Sequence, residues 1–83
     1  MQIRWSDAGK ASARRFMRDD QDGLRAVGLA ILALADDPYP AGAFHRGSYH
    51  RLRAGRYRIL YFVDGDVITV ERVDRLPAGE GIP

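Results

Sequence analysis

The chain has 83 residues, no cysteine, and 13 lysine and arginine side chains against 11 aspartates and glutamates. That length allows one small domain and excludes separate cofactor and substrate lobes, while the lack of cysteine excludes disulfides, thiolate-ligated zinc and iron–sulfur sites. The net charge of +2 hides an uneven distribution: residues 1–43 sum to zero, whereas residues 45–58 hold five arginines, two histidines and no acid, and sum to +5.

Residues 2–5 alternate in polarity and predict a short strand. Nothing in this opening has the apolar core of a signal peptide, so a soluble cytoplasmic protein is expected. Ser6 is placed to cap a first helix running to about Arg18, with Asp7 near the positive end of its dipole and Ala8, Ala11, Phe16 and Met17 on its apolar side. The Asp19–Gly23 cluster breaks that helix, and Asp20 or Asp22 can cap the next. A second helix is expected over 24–35, with Leu24, Val27, Ile31 and Leu34 at core spacing. Leu29, Ala30, Leu32 and Ala33 leave its other side apolar as well, so either a partner covers that side or its small residues tolerate water.

A turn-rich link, Asp36–Gly42, separates the helices from a region where the period changes from 3.6 to 2. Three strands are expected, over 49–53, 56–63 and 66–74, with a loop before them that includes His45 and Arg46. Asp64-Gly65 is a strong hairpin turn; Ala54-Gly55 is weaker, because a type I′ turn puts Ala at positive φ. The fold class is therefore α+β: an N-terminal strand, a two-helix hairpin, then a three-stranded antiparallel meander, with the helices on one sheet face. Residues 1–77 form the single domain, and 78–83, with two glycines and a terminal proline, are expected to be a flexible tail.

Strand register turns this reading into chemistry. A turn at Ala54-Gly55 sets Arg53 opposite Arg56 and Arg51 opposite Arg58, all four on one face. His50, Leu52, Tyr57, Ile59 and Tyr61 then share the apolar face that the helices cover. Continuing through Asp64-Gly65 pairs Arg58 with Glu71, keeps Arg75 on the parity of Glu71, and adds an apolar shoulder of Leu60, Phe62 and Val67. Like charges facing across strands are costly unless an anion lies between them, so the cluster reads as well for phosphate binding as for solvated decoration. Two histidines five residues apart make a poor metal site, and no metal or cofactor is expected.

The run His50-Arg-Leu-Arg-Ala-Gly-Arg-Tyr-Arg-Ile-Leu-Tyr61 resembles the most characteristic stretch of the RelE/ParE toxins of bacterial toxin–antitoxin systems. The resemblance extends to Trp5-Ser6, to the LADDPYP segment and to the Asp-Gly turn before a Val-rich last strand, and so spans nearly the whole chain. It implies a RelE-like domain and a metal-independent endoribonuclease that cuts ribosome-bound mRNA by attack of a ribose 2′-OH on the adjacent phosphate. Carried over by position, Arg58 holds the scissile phosphate, Arg51 and Arg53 grip its neighbours, and Arg46 and Arg56 add phosphate contacts. An arginine stays protonated, so Glu71 or His45 is the proton acceptor expected here, with Arg75 as a further basic residue. The resemblance also implies an acidic antitoxin that folds on binding, seated on Leu60, Phe62 and Val67 or on the second helix, with operator DNA reached only through it and no membrane partner. Nuclease members commonly carry a basic residue and a Tyr after the last strand. This chain ends that region Val73-Asp-Arg-Leu-Pro77, which leaves open a ParE-like inhibitor of DNA gyrase or a weakly catalytic member that acts within an antitoxin complex.

Overall fold

A computed structural model describes residues 1–77; the expected tail over 78–83 lies outside the described residues. Its elements are β1 (Gln2–Trp5), α1 (Asp7–Met17), α2 (Gln21–Leu34), β2 (Phe44–Arg46), β3 (Tyr49–Ala54), β4 (Tyr57–Asp64) and β5 (Val67–Arg75). They build one sheet in the order β1-β5-β4-β3-β2, antiparallel except for the parallel pair β1–β5. The expected meander is therefore the centre of a five-stranded mixed sheet. Its added edge, β2, replaces the loop expected around His45 and Arg46, three exposed residues being too few to show alternation.

Ser6 caps α1 as expected: the Gly9 N–H donates to Ser6 Oγ at 2.9 Å. Asp20 caps α2 through the Gly23 N–H at 3.0 Å, which starts that helix at Gln21, a turn earlier than the apolar stripe alone indicates. Leu24, Val27, Ile31 and Leu34 of α2 are buried against Tyr57, Ile59, Tyr61, Ile68, Val70 and Val73 of the sheet. Leu29 and Leu32, on the other side, are 64% and 65% exposed. In α1 the inward residues are Gly9, Ala13 and Phe16, while Ala8, Ala11 and Met17 face outward.

The first hairpin turns at Gly55-Arg56, with Gly55 at φ +61°, and not at Ala54-Gly55. The left-handed position thus falls on the residue without a Cβ. Arg53 faces Arg58 and Arg51 faces Leu60, a slip of two residues from the expected register. A slip of two preserves which face each side chain takes.

The second departure has larger consequences. The β4–β5 ladder carries a bulge at the Leu60/Tyr61 step, where the partners of adjacent residues jump from Val70 to Arg72 and leave Glu71 as the extra residue. The backbone groups around it find side-chain partners on α1. Ser6 Oγ donates to the Glu71 carbonyl at 2.8 Å, and the Val73 N–H donates to Ser12 Oγ at 3.0 Å. Gly9 lets the helix approach this closely, since a Cβ there would lie 2.5 Å from the Val70 carbonyl oxygen.

Candidate nucleic-acid interface

The face turned away from the helices is built by strand alternation. Tyr49, Arg51 and Arg53 of β3 lie beside Arg58, Leu60 and Phe62 of β4. Phe44 and Arg46 of β2 extend this face on one side, and Arg72 and Asp74 of β5 on the other. All of these except Arg53 and Phe62 line an open pocket of about 370 Å³ whose walls include Arg46, Arg51, Arg58 and Arg72 and whose floor includes Leu60. Four guanidinium groups and one carboxylate give the pocket a formal charge of +3.

Two contacts set the positions of these arginines. The Arg51 guanidinium lies 4.4 Å from the centre of the Phe44 ring, a cation–π contact that holds it at the rim. Asp74 is 2.8 Å from Arg72 Nε and 3.7 Å from the nearest Arg58 nitrogen, so it bonds Arg72 and only approaches Arg58. Arg58 Nε is buried without a hydrogen-bond partner, the one such side-chain atom among the described residues. A buried donor of this kind is stabilised by an acceptor brought from outside, and a guanidinium fork matches two phosphate oxygens. The pocket is therefore cationic, with one guanidinium nitrogen left without a partner.

The structure sorts the expected site residues. Arg51, Arg58 and Arg46 come together in the pocket. Arg53 shares their face but turns its Nε to the Gly55 carbonyl at 2.9 Å, at the exposed rim. Arg56 lies in the turn, and its charge acts on Asp20 on the helix side, so it does not join the cluster. Glu71 occupies the bulge and does not face Arg58; Asp74 does.

The same bulge inverts the parity of everything after it. Arg75 consequently faces the helices, ion-paired to Asp19 at 3.1 Å and 4.8 Å from the centre of the Phe16 ring. Hydrogen bonds that it donates to Asp19 and then to Tyr57 hold its pKa above the ordinary arginine value. His45 is directly opposite His50, on the helix face rather than the open one. Leu60 is 6% exposed and forms pocket floor rather than a docking shoulder, whereas Phe62 and Val67 remain half-buried, with Phe62 edge-on to Tyr49 at 4.9 Å.

Sequence reasoning missed Phe44, Tyr49, Arg72 and Asp74. Phe44 depends on recognising β2, whereas Tyr49 already shares the alternation of Arg51 and Arg53 within the expected strand 49–53. The last two carry a visible signal, since the run Glu71-Arg72-Val73-Asp74-Arg75 alternates charge around one apolar residue and reads equally in either phase. The buried Val73 marks the phase that holds. Among the described residues no group of three or more His, Cys, Asp or Glu side chains could hold a metal ion, and no helix is long and apolar enough to cross a membrane.

No protein-family model matches the chain, and no curated protein sequence matches it. Solved structures do. A YoeB/ParE toxin from Agrobacterium tumefaciens superposes with a TM-score of 0.78 at 19% identity, over 93% of this chain and 99% of that one. The chain has the fold of the RelE/ParE toxins. A structure of the chromosomal ParDE toxin–antitoxin system from P. aeruginosa aligns with TM-score 0.76 at 14% identity, over 93% and 97% of the two chains. The RelBE2 toxin–antitoxin complex from Mycobacterium tuberculosis gives 0.73 at 21%, over 89% and 95%. At such identities the likeness to RelE/ParE toxins lies in the fold, and the pocket stands on this chain's own residues.

Proposed function

We propose that the chain is the toxin of a type II toxin–antitoxin system and that its open sheet face binds and cleaves RNA, with ribosome-bound mRNA as substrate. One observation carries this reading: Arg58, whose buried Nε has no hydrogen-bond partner, lines a pocket together with Arg46, Arg51 and Arg72. Arg58 takes the scissile phosphate and stabilises the charge that builds on its oxygens. Arg51, Arg72 and Arg46 neutralise flanking phosphates, and Arg53 adds charge at the rim. The ribose 2′-oxygen attacks the adjacent phosphorus, its proton passes to Asp74, and the 5′-oxygen leaves with a proton from water, giving a 2′,3′-cyclic phosphate. Asp74 takes the proton-acceptor role expected of Glu71 or His45, because it is the carboxylate lining the pocket.

The structure of RelBE2 with its antitoxin supports an antitoxin partner here. Its seat is the apolar groove of about 530 Å³ between β1 and the helical hairpin, lined by Trp5, Leu24, Leu29 and Leu32. A small acidic protein that folds on binding fits this groove beside a basic sheet face. Operator DNA is then reached through the antitoxin.

A second reading, inhibition of DNA gyrase by protein contact, is favoured by the displacement of His45 to the helix face. That displacement leaves no histidine among the residues lining the pocket. Expression of the chain alone in bacteria separates the readings. Growth arrest with mRNA fragments that Arg58→Ala abolishes supports the nuclease. Arrest with gyrase-dependent DNA breaks and intact mRNA supports the second reading, and no arrest refutes both.

A further inference from the structure

On the helix side of the sheet lies a cluster that the phosphate pocket does not use. His45 of β2 and His50 of β3 are direct cross-strand partners one pair out from the Gly47-Ser48 turn. In a two-residue hairpin the pair flanking the turn exchanges both hydrogen bonds, so the next pair is the non-bonded one whose side chains approach most closely. The two Nδ1 atoms are accordingly in contact, 2.5 Å apart. His50 is 4% exposed and held in one orientation, stacked on Tyr61 at 5.1 Å and met edge-on by Tyr39 at 5.4 Å. Tyr61 is itself pinned, its hydroxyl donating to the Pro38 carbonyl at 2.9 Å. His45 is open to solvent. The pair thus combines one ring fixed by packing, one ring reachable from water, and two nitrogens already convergent.

We propose that His45 and His50 chelate a borderline divalent transition-metal ion, of the Zn²⁺ or Cu²⁺ class, through their Nδ1 atoms. Imidazole nitrogens suit these ions, which bind nitrogen at about 2.0–2.1 Å. At a tetrahedral angle two such bonds set the nitrogens about 3.3 Å apart, so the rings need to part by less than about 1 Å. Both rings bind as neutral imidazoles. The ring that holds its proton on Nδ1 shifts it to Nε2, and both lone pairs then face the metal. Water completes the coordination shell, as expected where two protein ligands are present.

The site has a mechanical consequence. β2 is a short edge strand whose three residues are all exposed. Alternation sends Phe44 and Arg46 to the opposite face, where they wall the phosphate pocket. A metal bridging His45 to His50 cross-links β2 to β3 and so fixes those walls. The effect on the pocket rests on the phosphate-binding reading; the metal site does not.

The test uses the full chain, freed of metal with a chelator and titrated calorimetrically with ZnCl₂ and separately with CuCl₂. Saturable binding at one equivalent is expected. Melting should rise by several degrees with metal and fall back with EDTA, and amide exchange at residues 44–46 should slow. His45→Ala and His45→Gln should weaken binding at least tenfold and abolish the metal-induced rise in melting, each measured against the variant's own metal-free melting. Absence of saturable binding to both ions up to 1 mM (roughly the weak limit of specific sites) overturns the proposal. Equal binding by the wild type and both variants overturns it too. Neither outcome bears on RNA cleavage, which Arg58→Ala tests separately.

Discussion

Replacing Asp74 by Asn separates the observed register from the expected one. If Asp74 faces Arg58, removing its charge strengthens RNA binding; if Glu71 does, Asp74→Asn has little effect and Glu71→Gln has a large one. A phosphate on the Arg58 fork sits about 3 Å from the guanidinium, and Asp74 lies 3.7 Å from the same group. Carboxylate and phosphate are then about 6 Å apart, where unit charges repel by about 0.7 kcal/mol at the dielectric of water and about 3 kcal/mol at an effective value of 20. The pocket is open, and Arg58 and Asp74 are 37% and 24% exposed, which puts the effect near the low end. Binding of a fluorescein-labelled single-stranded RNA should therefore tighten about threefold to tenfold, since about 1.4 kcal/mol is a factor of ten. The ion pairs lost are worth about 0–1 kcal/mol at such exposure, so melting should move by only a few degrees. Cleavage should fall at the same time if Asp74 is the proton acceptor. Fluorescence anisotropy at fixed salt measures the binding. Weaker binding by Asp74→Asn, or an equal gain from Glu71→Gln, would refute this placement of the charge.

Three further outcomes follow from the packing. Gly9→Ala should destabilise the domain by about 1–3 kcal/mol in urea unfolding, because its Cβ meets the Val70 carbonyl oxygen at 2.5 Å and α1 must lift from the bulge. Ile31→Ala should cost about 2–5 kcal/mol and Leu32→Ala less than about 0.5, since Ile31 is 2% exposed and Leu32 65%; equal losses would contradict the helix face assigned here. Hydrogen bonds from Tyr57 and then the Gly23 N–H hold the Asp20 carboxyl below its ordinary pKa of 3.8. A depressed carboxylate stabilises the fold above the unfolded value, and this contribution is lost as pH falls below about 3.8 through the folded value. Tyr57→Phe removes the larger cause, so its stability should depend less steeply on acid between about pH 4 and 2 than the wild type's; identical slopes would remove Tyr57 from the account.

The two-layer fold was legible because its signals are local and redundant. The Leu24, Val27, Ile31 and Leu34 stripe needs only the helical period, and the second hairpin needs only its Asp-Gly pair, although the turn falls on Gly65-Asp66 rather than Asp64-Gly65, with Asp64 paired to Val67 and Gly65 at φ +57°. The common face of Arg51, Arg53 and Arg58 was legible despite a misplaced turn, because a two-residue slip leaves parity untouched. The β5 side of the pocket was not legible. A single inserted residue at Glu71 exchanges the faces of everything after it, and no propensity of Glu71 itself announces it. The strand β2 was missed for the opposite reason, being too short for alternation to stand out from a loop.

The bulge itself has a cause outside β5. A regular ladder would keep Arg72 and Asp74 on the helix face, where two charges would enter a layer that buries Ile59, Val70 and Val73. Inserting Glu71 leaves backbone groups unsatisfied instead, and α1 repairs two of them with Ser6 and Ser12. Both hydroxyls reach because Gly9 stands between them against the strand. The Gly9 side of α1, which carries no charge and lines no part of the pocket, is thus what turns Arg72 and Asp74 toward Arg58. The composition of the open-face pocket is set on the opposite face of the sheet, by Ser6, Gly9 and Ser12 in the first two turns of a helix.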